Sequence, residues 1–276
     1  MKITYYGTAA GEGWPCIFCN CEMCETARRL GGRNIRTRSQ SLINEDLLLD
    51  FPADNMLHAN IYGLDFKKVD YLFVTHNHSD HFYAMDLEIL REPYTHGRTR
   101  NLNVYGSLDV KKQIDDNVPK AKDRDPGYVF NRAVPFETIC VGDYEVVPLL
   151  AKHDRHQECL IYIVRSVKED KAVLYCHDTG TFPDQTFEYI KNYPHKLNLV
   201  SLDCTQGEIK DGDNHMGFVD AVGEKNRLKT LGVCADDCIF VLNHFSHNGR
   251  ILYDRLVEMA EKEDMLVSYD GMAIKF

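Results

Sequence analysis

Apolar residues in this chain come in short runs separated by glycine, proline, asparagine and aspartate, the spacing of strands joined by turns and helices. Ile3 to Tyr6 predicts an opening strand. Ser41-Leu42-Ile43 and Leu47-Leu48-Leu49 predict a hairpin across Asn44-Glu45-Asp46, with Asp50 ending its second strand. Val69 to Val74, Leu102 to Tyr105, Cys159 to Val164, Ala172 to Cys176, Asn198 to Asp203 and Cys238 to Asn243 read as further strands. Glu137 to Leu150 holds two more, joined at Gly142-Asp143. Helical patterns cover Glu25 to Leu30, Pro52 to Tyr62 with Gly63 as stop, the stretch from Ser107 to Asp116, Phe218 to Leu231 and Ile251 to Glu263. Phe82, Met85 and Ile89 predict the buried side of one more helix, and Leu266 to Phe276 a closing strand pair around Asp270-Gly271. Strands alternating with helices, without repeats or linkers, predict one α/β domain over residues 1–276.

The polar residues that close these strands are unusual. Val69 to Val74 runs into Thr75-His76-Asn77-His78-Ser79-Asp80-His81, three histidines and an aspartate within six positions. Neutral imidazoles and carboxylates are the donors that borderline divalent cations prefer, so this stretch is a candidate metal-binding loop. Other strands end alike: His153 follows Leu150, Asp178 follows Cys176, and His244 follows Asn243, with His247 three residues on.

Charge and cysteine content narrow the picture. Lys and Arg number 32 against 42 Asp and Glu, a net charge of −10. A general electrostatic hold on nucleic acid or anionic lipid is therefore disfavoured, and an anionic substrate must be gripped locally. No apolar stretch is long enough to span a bilayer and the start lacks a signal-peptide core, so a cytoplasmic protein without a membrane partner is expected. Of ten cysteines, Cys16, Cys19, Cys21 and Cys24 fall within nine residues. In a reducing compartment such a cluster points to structural zinc, with the fourth ligand either Cys16 or a distant histidine. Arg28, Arg29, Arg33, Arg36 and Arg38 follow at once; they read either as a solvated face or as a phosphate grip. The polar stretch from Asn117 to Arg132 is a candidate substrate-side loop.

The order His76/His78/Asp80/His81, His153, Asp178, His244, each at a strand end, resembles the metallo-β-lactamase superfamily over nearly the whole chain. That resemblance implies a four-layer αββα sandwich with a dinuclear site at one edge of two sheets. Carried over, His76, His78 and His153 bind one metal, Asp80, His81 and His244 the other, and Asp178 bridges them. Flavodiiron members carry Glu at the position of His78, so the resemblance implies hydrolysis instead of redox chemistry. Cys19-x-Cys21-x2-Cys24, Asp178-Thr179, Asp203-Cys204, Asn214-His215, His244-x2-His247 and Asp270-Gly271-Met272 further resemble the phosphoribosyl cyclic phosphate phosphodiesterases of the carbon-phosphorus lyase pathway and their relatives. This implies a structural zinc on Cys19, Cys21, Cys24 and His247, and His215 as general acid.

The implied activity is hydrolysis of a small phosphate ester, cyclic esters included, by hydroxide on two divalent ions of zinc, manganese or iron. Asp80 would orient the nucleophile and His215 would protonate the leaving group. Alternatives on the same fold are a ribonuclease resembling tRNase Z, a thioesterase or lactonase, and a non-catalytic carrier resembling the PQQ-biosynthesis members. A small phosphate ester is the expected partner, nucleic acid is disfavoured, and a homodimer is left open.

Overall fold

Leu47, Leu48 and Leu49 are all buried, and so is every residue from Leu160 to Val164. Side chains alternate across a strand, so consecutive burial demands cover on both faces of the sheet. The computed structural model, which describes residues 1–120 and 125–276, provides that cover with two seven-stranded sheets packed together and helices outside each.

The first sheet contains β1 (Lys2–Gly7), β2 (Gln40–Ile43), β3 (Leu47–Leu49), β4 (Tyr71–Phe73), β5 (Leu102–Gly106) and β6 (Tyr128–Arg132). The second contains β7 (Ile139–Val141), β8 (Tyr144–Leu150), β9 (Leu160–Ser166), β10 (Lys171–Cys176), β11 (Leu197–Asp203), β12 (Cys234–Asn243) and β13 (Leu266–Val267). The last strand, β14 (Met272–Lys275), returns to the first sheet beside β1, giving the orders β14-β1-β2-β3-β4-β5-β6 and β13-β12-β11-β10-β9-β8-β7. β3 to β6 run parallel, as do β10 to β13.

Strand parity divides the core into three. Ile3, Tyr5, Leu47, Leu49 and Phe73 meet Tyr162, Val164, Val173, Tyr175 and Val241 between the sheets. Leu42, Leu48, Leu72 and Val104 point the other way, onto Leu87 and onto Val110 and Ile114 of α3 (Leu108–Asn117). On the far side, Ile161, Ile163, Leu174, Val200 and Leu202 pack under four helices. These are α1 (Glu22–Leu30), α4 (Asp184–Lys191), α5 (Phe218–Leu231) and α6 (Tyr253–Lys262). The result is the αββα sandwich; the remaining helix, α2 (Asn55–Tyr62), follows β3.

Three sequence expectations need correction. The segment after His81 is a 3-10 helix at Ala84–Leu90, with Ala84 and Leu87 inward and Met85 and Ile89 about half exposed. A three-residue repeat is what 3-10 geometry buries, whereas the expected helix would have buried Met85 and Ile89. Leu266 to Phe276 does not fold back on itself: β13 joins β12 and β14 joins β1, so the chain crosses between sheets. The Asp270 carboxylate fixes that crossing by accepting from Thr8 Oγ1 (2.6 Å) and from the Thr37 N–H (2.6 Å). Finally, the end of the expected Asn117 to Arg132 loop is the edge strand β6, paired to β5; residues 121–124 lie outside the described residues.

Two contacts tie the sheets together beside the His-rich loop. Tyr162 donates its hydroxyl to the Val74 carbonyl at 2.6 Å, and the Leu160 N–H donates to the Thr75 carbonyl at 2.9 Å. Because Tyr162 is fully buried, Tyr162→Phe leaves the Val74 carbonyl short of a partner. The expected cost is about 1–2 kcal/mol in urea unfolding with an unchanged slope.

Candidate metal centre

Parallel strands deliver their carboxyl ends to one rim, and here two sheets do so side by side. β3 leads into Asp50, β4 into Thr75 to His81, β8 into His153, β10 into Asp178 and β12 into His244, while Asp203 is the last residue of β11. The donor atoms of His76, His78, His153 and Asp178 all lie within 4.8 Å of one another, and so do those of Asp80, His81, Asp178 and His244. Asp178 belongs to both groups. His215 joins the same centre, with Nδ1 3.2 Å from Asp178 Oδ1 and 3.4 Å from Asp203 Oδ2.

Each of the five histidines in the two groups has its second ring nitrogen against an oxygen. His76 Nδ1 is 3.0 Å from Thr75 Oγ1, His78 Nε2 3.3 Å from Asp154 Oδ2 and His81 Nδ1 2.8 Å from Asp50 Oδ2. His153 Nδ1 is 3.3 Å from the Asn214 carbonyl, and His244 Nδ1 2.7 Å from Thr205 Oγ1. This outer ring of oxygens fixes each imidazole's plane and tautomer, as around metal-binding histidines generally. The inner nitrogens are crowded: His76 Nε2 and His78 Nδ1 are 2.9 Å apart, and His81 Nε2 and His244 Nε2 3.1 Å apart. Lone pairs facing at such distances repel unless a proton or a cation lies between them. The buried Asp178 Oδ1, close to two imidazoles, still has no well-formed hydrogen bond. Crowded nitrogens around an orphaned carboxylate oxygen are a donor set that fits two divalent cations.

The backbone bends to make this possible. Asp50, Asp178 and His244 all adopt left-handed conformations, with φ of 66°, 54° and 61°. Each such residue costs on the order of 1 kcal/mol or more, a strain that accumulates at functional sites. The compensation is visible at Asp178, whose N–H donates to Asp203 Oδ2 at 3.1 Å. Asp203 also accepts from the N–H groups of Thr205 and Met216, and Asp50 accepts from the Thr75 N–H and hydroxyl.

Electrostatics follow from burial and crowding. Burial drives the His76 pKa down to about 4. Burial also opposes charge on His81, but the Asp50, Asp178 and Asp80 carboxylates outweigh it and hold its pKa well up. His215 behaves alike: burial lowers its pKa, Asp178 and Asp203 raise it, and the balance lies at about 11. Without metal, both imidazoles are protonated at neutral pH.

A second cluster lies beside α1. Cys19, Cys21, Cys24 and His247 bring their donor atoms within 4.8 Å of one another, with His247 Nδ1 3.4 Å from Cys21 Sγ and 3.8 Å from Cys19 Sγ. The Cys24 N–H donates to the Cys21 sulfur and, with smaller help from Cys19 and His247, brings that thiol down to about 6, a thiolate ready for zinc. Cys16, open as a ligand in the sequence, is outside this group; its carbonyl accepts from Arg28.

Four of the five arginines that follow the cysteine cluster have partners within the protein. Arg28 bonds to the carbonyls of Cys16 and Cys19, and Arg33 stacks on Tyr269. Arg36 is buried against Thr8 and Ser268, and Arg38 donates to the Gly11 carbonyl. The cleft that does open on His78 and His153, about 650 Å³, is lined by Lys152, Arg155, His156 and Asn214 and, among the described residues, by none from Asn117 to Arg132. Sequence reasoning gave Asp50, Asp154 and Thr205 no role at the centre. The available signal was an acid closing or following an apolar strand, which is also the signature of a common turn former.

The chain belongs to the metallo-β-lactamase superfamily: residues 48–232 match the model of the Beta-lactamase superfamily domain. Coenzyme PQQ synthesis protein B of Acinetobacter baumannii (strain AB0057) is 24% identical over all of both chains. Among solved structures, a diphosphatase from the PhnP family superposes with a TM-score of 0.73 at 19% identity, covering 100% of this chain and 97% of its own. Zinc-bound PqqB from Methylobacterium extorquens superposes with a TM-score of 0.74 at 15% identity, covering both chains fully. No helix among the described residues is long and apolar enough to cross a membrane.

Metal capture here must expel protons. Because the Asp50, Asp178 and Asp80 carboxylates favour the protonated form of His81, and a cation would displace that proton, metal affinity is expected to weaken as pH falls. Calorimetric titration in buffers of different ionisation enthalpy should register release of about one proton or more near pH 7.5. Asp178→Ala should lower the metal bound at the His/Asp groups while leaving any ion at the cysteine cluster in place, a loss that elemental analysis reads directly against the wild-type chain.

Proposed function

We propose that this protein is a metal-dependent hydrolase of small phosphate esters, phosphodiesters foremost, in which all 276 residues form one catalytic domain. The observation that carries this reading is the single buried carboxylate, Asp178, common to two clusters of otherwise independent ligands. In this reading His76, His78, His153 and Asp178 hold one divalent ion and Asp80, His81, Asp178 and His244 hold a second. Cys19, Cys21, Cys24 and His247 hold a structural zinc. When bound, the paired cations supply the Lewis acidity that makes water nucleophilic near neutral pH and offsets charge gathering on a phosphoryl oxygen.

The chain's own residues do the remainder. Asp80 is held ionised: burial opposes its charge, but His81, His76 and His244 together favour it. Its free oxygen can accept a hydrogen from the attacking water and aim the lone pair. His215, anchored through Nδ1 by Asp178 and Asp203, keeps Nε2 to give a proton to the departing ester oxygen. His215, whose protonated form Asp178 and Asp203 favour, would act as general acid through Nε2, and sharing of Asp178 with bound cations would lessen that favour. The cleft beside His78 and His153 gives the ester room, with Arg155 on its wall beside the Lys152–Asp213 ion pair at 2.8 Å.

The diphosphatase likeness supports this reading, whereas the PQQ synthesis relative favours a second, non-catalytic one in which the same fold carries a ligand. Metal-loaded protein tested on bis-nitrophenyl phosphate, cyclic nucleotides, thioesters and lactones separates the two. Turnover of the phosphodiesters first is expected; no turnover of any ester with both ions loaded would favour the carrier. His215→Ala should lose about 10²–10⁴ in kcat on an ester with a poor leaving group and far less on an activated nitrophenyl ester. Equal losses on both would remove His215 from the acid role.

A further inference from the structure

Outside the metal clusters, the start of β12 holds two cysteines in a geometry that ordinary strand pairing does not produce. Cys234 pairs with Leu197 and Ile239 with Leu199, so β12 spends five steps where β11 spends two. The extra residues form a bulge that folds the strand upon itself and brings positions 234 and 238 together. The register sets position 238 opposite Asn198, one step from the partner of Cys234; both cysteines are only partly exposed, and both rest on the core beneath the outer helices. Lys229, in the last turn of α5, and Lys196, which bonds to the Gly232 carbonyl, bring positive charge to the pair. Both cysteines are free.

We propose that Cys234 and Cys238 form a thiol–disulfide exchange pair that reduces a low-molecular-weight disulfide and closes into an intramolecular disulfide. The two thiols are not equivalent. The hydrogen bond from Cys238 lowers the pKa of Cys234, burial opposes this, and Lys229 and Lys196 add to the lowering; the same hydrogen bond raises Cys238. Cys234 is therefore the attacking sulfur and Cys238 the resolving one. In the first step the Cys234 thiolate bonds to one sulfur of the small disulfide, breaking its S–S bond and expelling one thiolate. In the second, Cys238 loses its proton and attacks the Cys234 sulfur, breaking the mixed disulfide and expelling the other thiolate. The two protein thiols are oxidised by two electrons, and one small disulfide becomes two thiols.

Among the described residues the other eight cysteines are placed differently, Cys16 being half-exposed beside the cysteine–histidine cluster. Cys159, Cys176 and Cys204 are buried, Cys140 is exposed but alone, and Cys19, Cys21 and Cys24 are gathered around His247. The inference needs no assumption about the ester substrate.

The test exposes reduced, metal-loaded protein to oxidised glutathione, quenches with acid, alkylates and maps peptides by mass spectrometry. Wild-type protein should form a Cys234–Cys238 link, lighter by two hydrogens, without a lasting glutathione adduct at either position. Cys234 should be consumed severalfold faster than Cys140 at pH 7. Cys238→Ser should stop at a stable glutathione adduct on Cys234, and Cys234→Ser should leave Cys238 unmodified over the same time. A persistent adduct on Cys234 in the wild type, or Cys140 reacting first, would overturn the proposal, and neither result depends on a variant that folds.

Discussion

The structure depends on one carboxylate. Asp178 sits buried in a left-handed turn at the end of β10, within 4 Å of imidazole nitrogens from His76, His81, His153, His215 and His244. Five basic rings around one acid would repel one another without it, and a buried acid without them would be driven neutral. Everything nearby maintains this arrangement: Asp203 holds the Asp178 backbone, Asp50 holds His81, and Tyr162 pins one sheet's site loop to the other sheet. Strain at three left-handed residues is tolerated because β-strands on either side over-determine their positions.

The sandwich is the means of delivering those groups. Each sheet alone brings only part of the centre to its rim: His76, His78, Asp80 and His81 follow a strand of the first, and His153, Asp178 and His244 follow strands of the second. Only packing the sheets face to face, through Leu49, Phe73, Tyr162 and Tyr175, closes the set. The apolar interior between the sheets and the polar rim are thus one construction. The cysteine cluster extends the same logic, since His247 lies three residues beyond His244 and links the loop after β12 to α1.

The strands were the most legible part of the fold, because runs such as Leu160 to Val164 are apolar on both faces and can hardly be anything else. The errors fall where pattern is ambiguous. Phe82, Met85 and Ile89 fit a helix's repeat, yet the short segment after the His-rich loop buries Ala84 and Leu87 through a tighter coil. Two short strands around Asp270-Gly271 look like a hairpin, and only the Thr8 and Thr37 hydrogen bonds to Asp270 show that they part company. The arginine run is similar: sequence shows charge, but not that Arg28 meets Glu25 and the Cys16 and Cys19 carbonyls, or that Arg38 meets Asp54 and the Gly11 carbonyl.

The sequence by itself determined the donor atoms and their order, because imidazole, thiolate and carboxylate chemistry is a property of residue type and the strand-end contexts are local. It could not determine which donors share a centre. That Asp178 belongs to two groups, that Cys16 stands outside a cluster it adjoins in the chain, and that Asp50, Asp154 and Thr205 orient three histidines are facts of distances between segments dozens of residues apart. Tertiary structure decided them, since a hydrogen bond across 31 or 76 positions has no counterpart in local pattern and exists only once two sheets have packed.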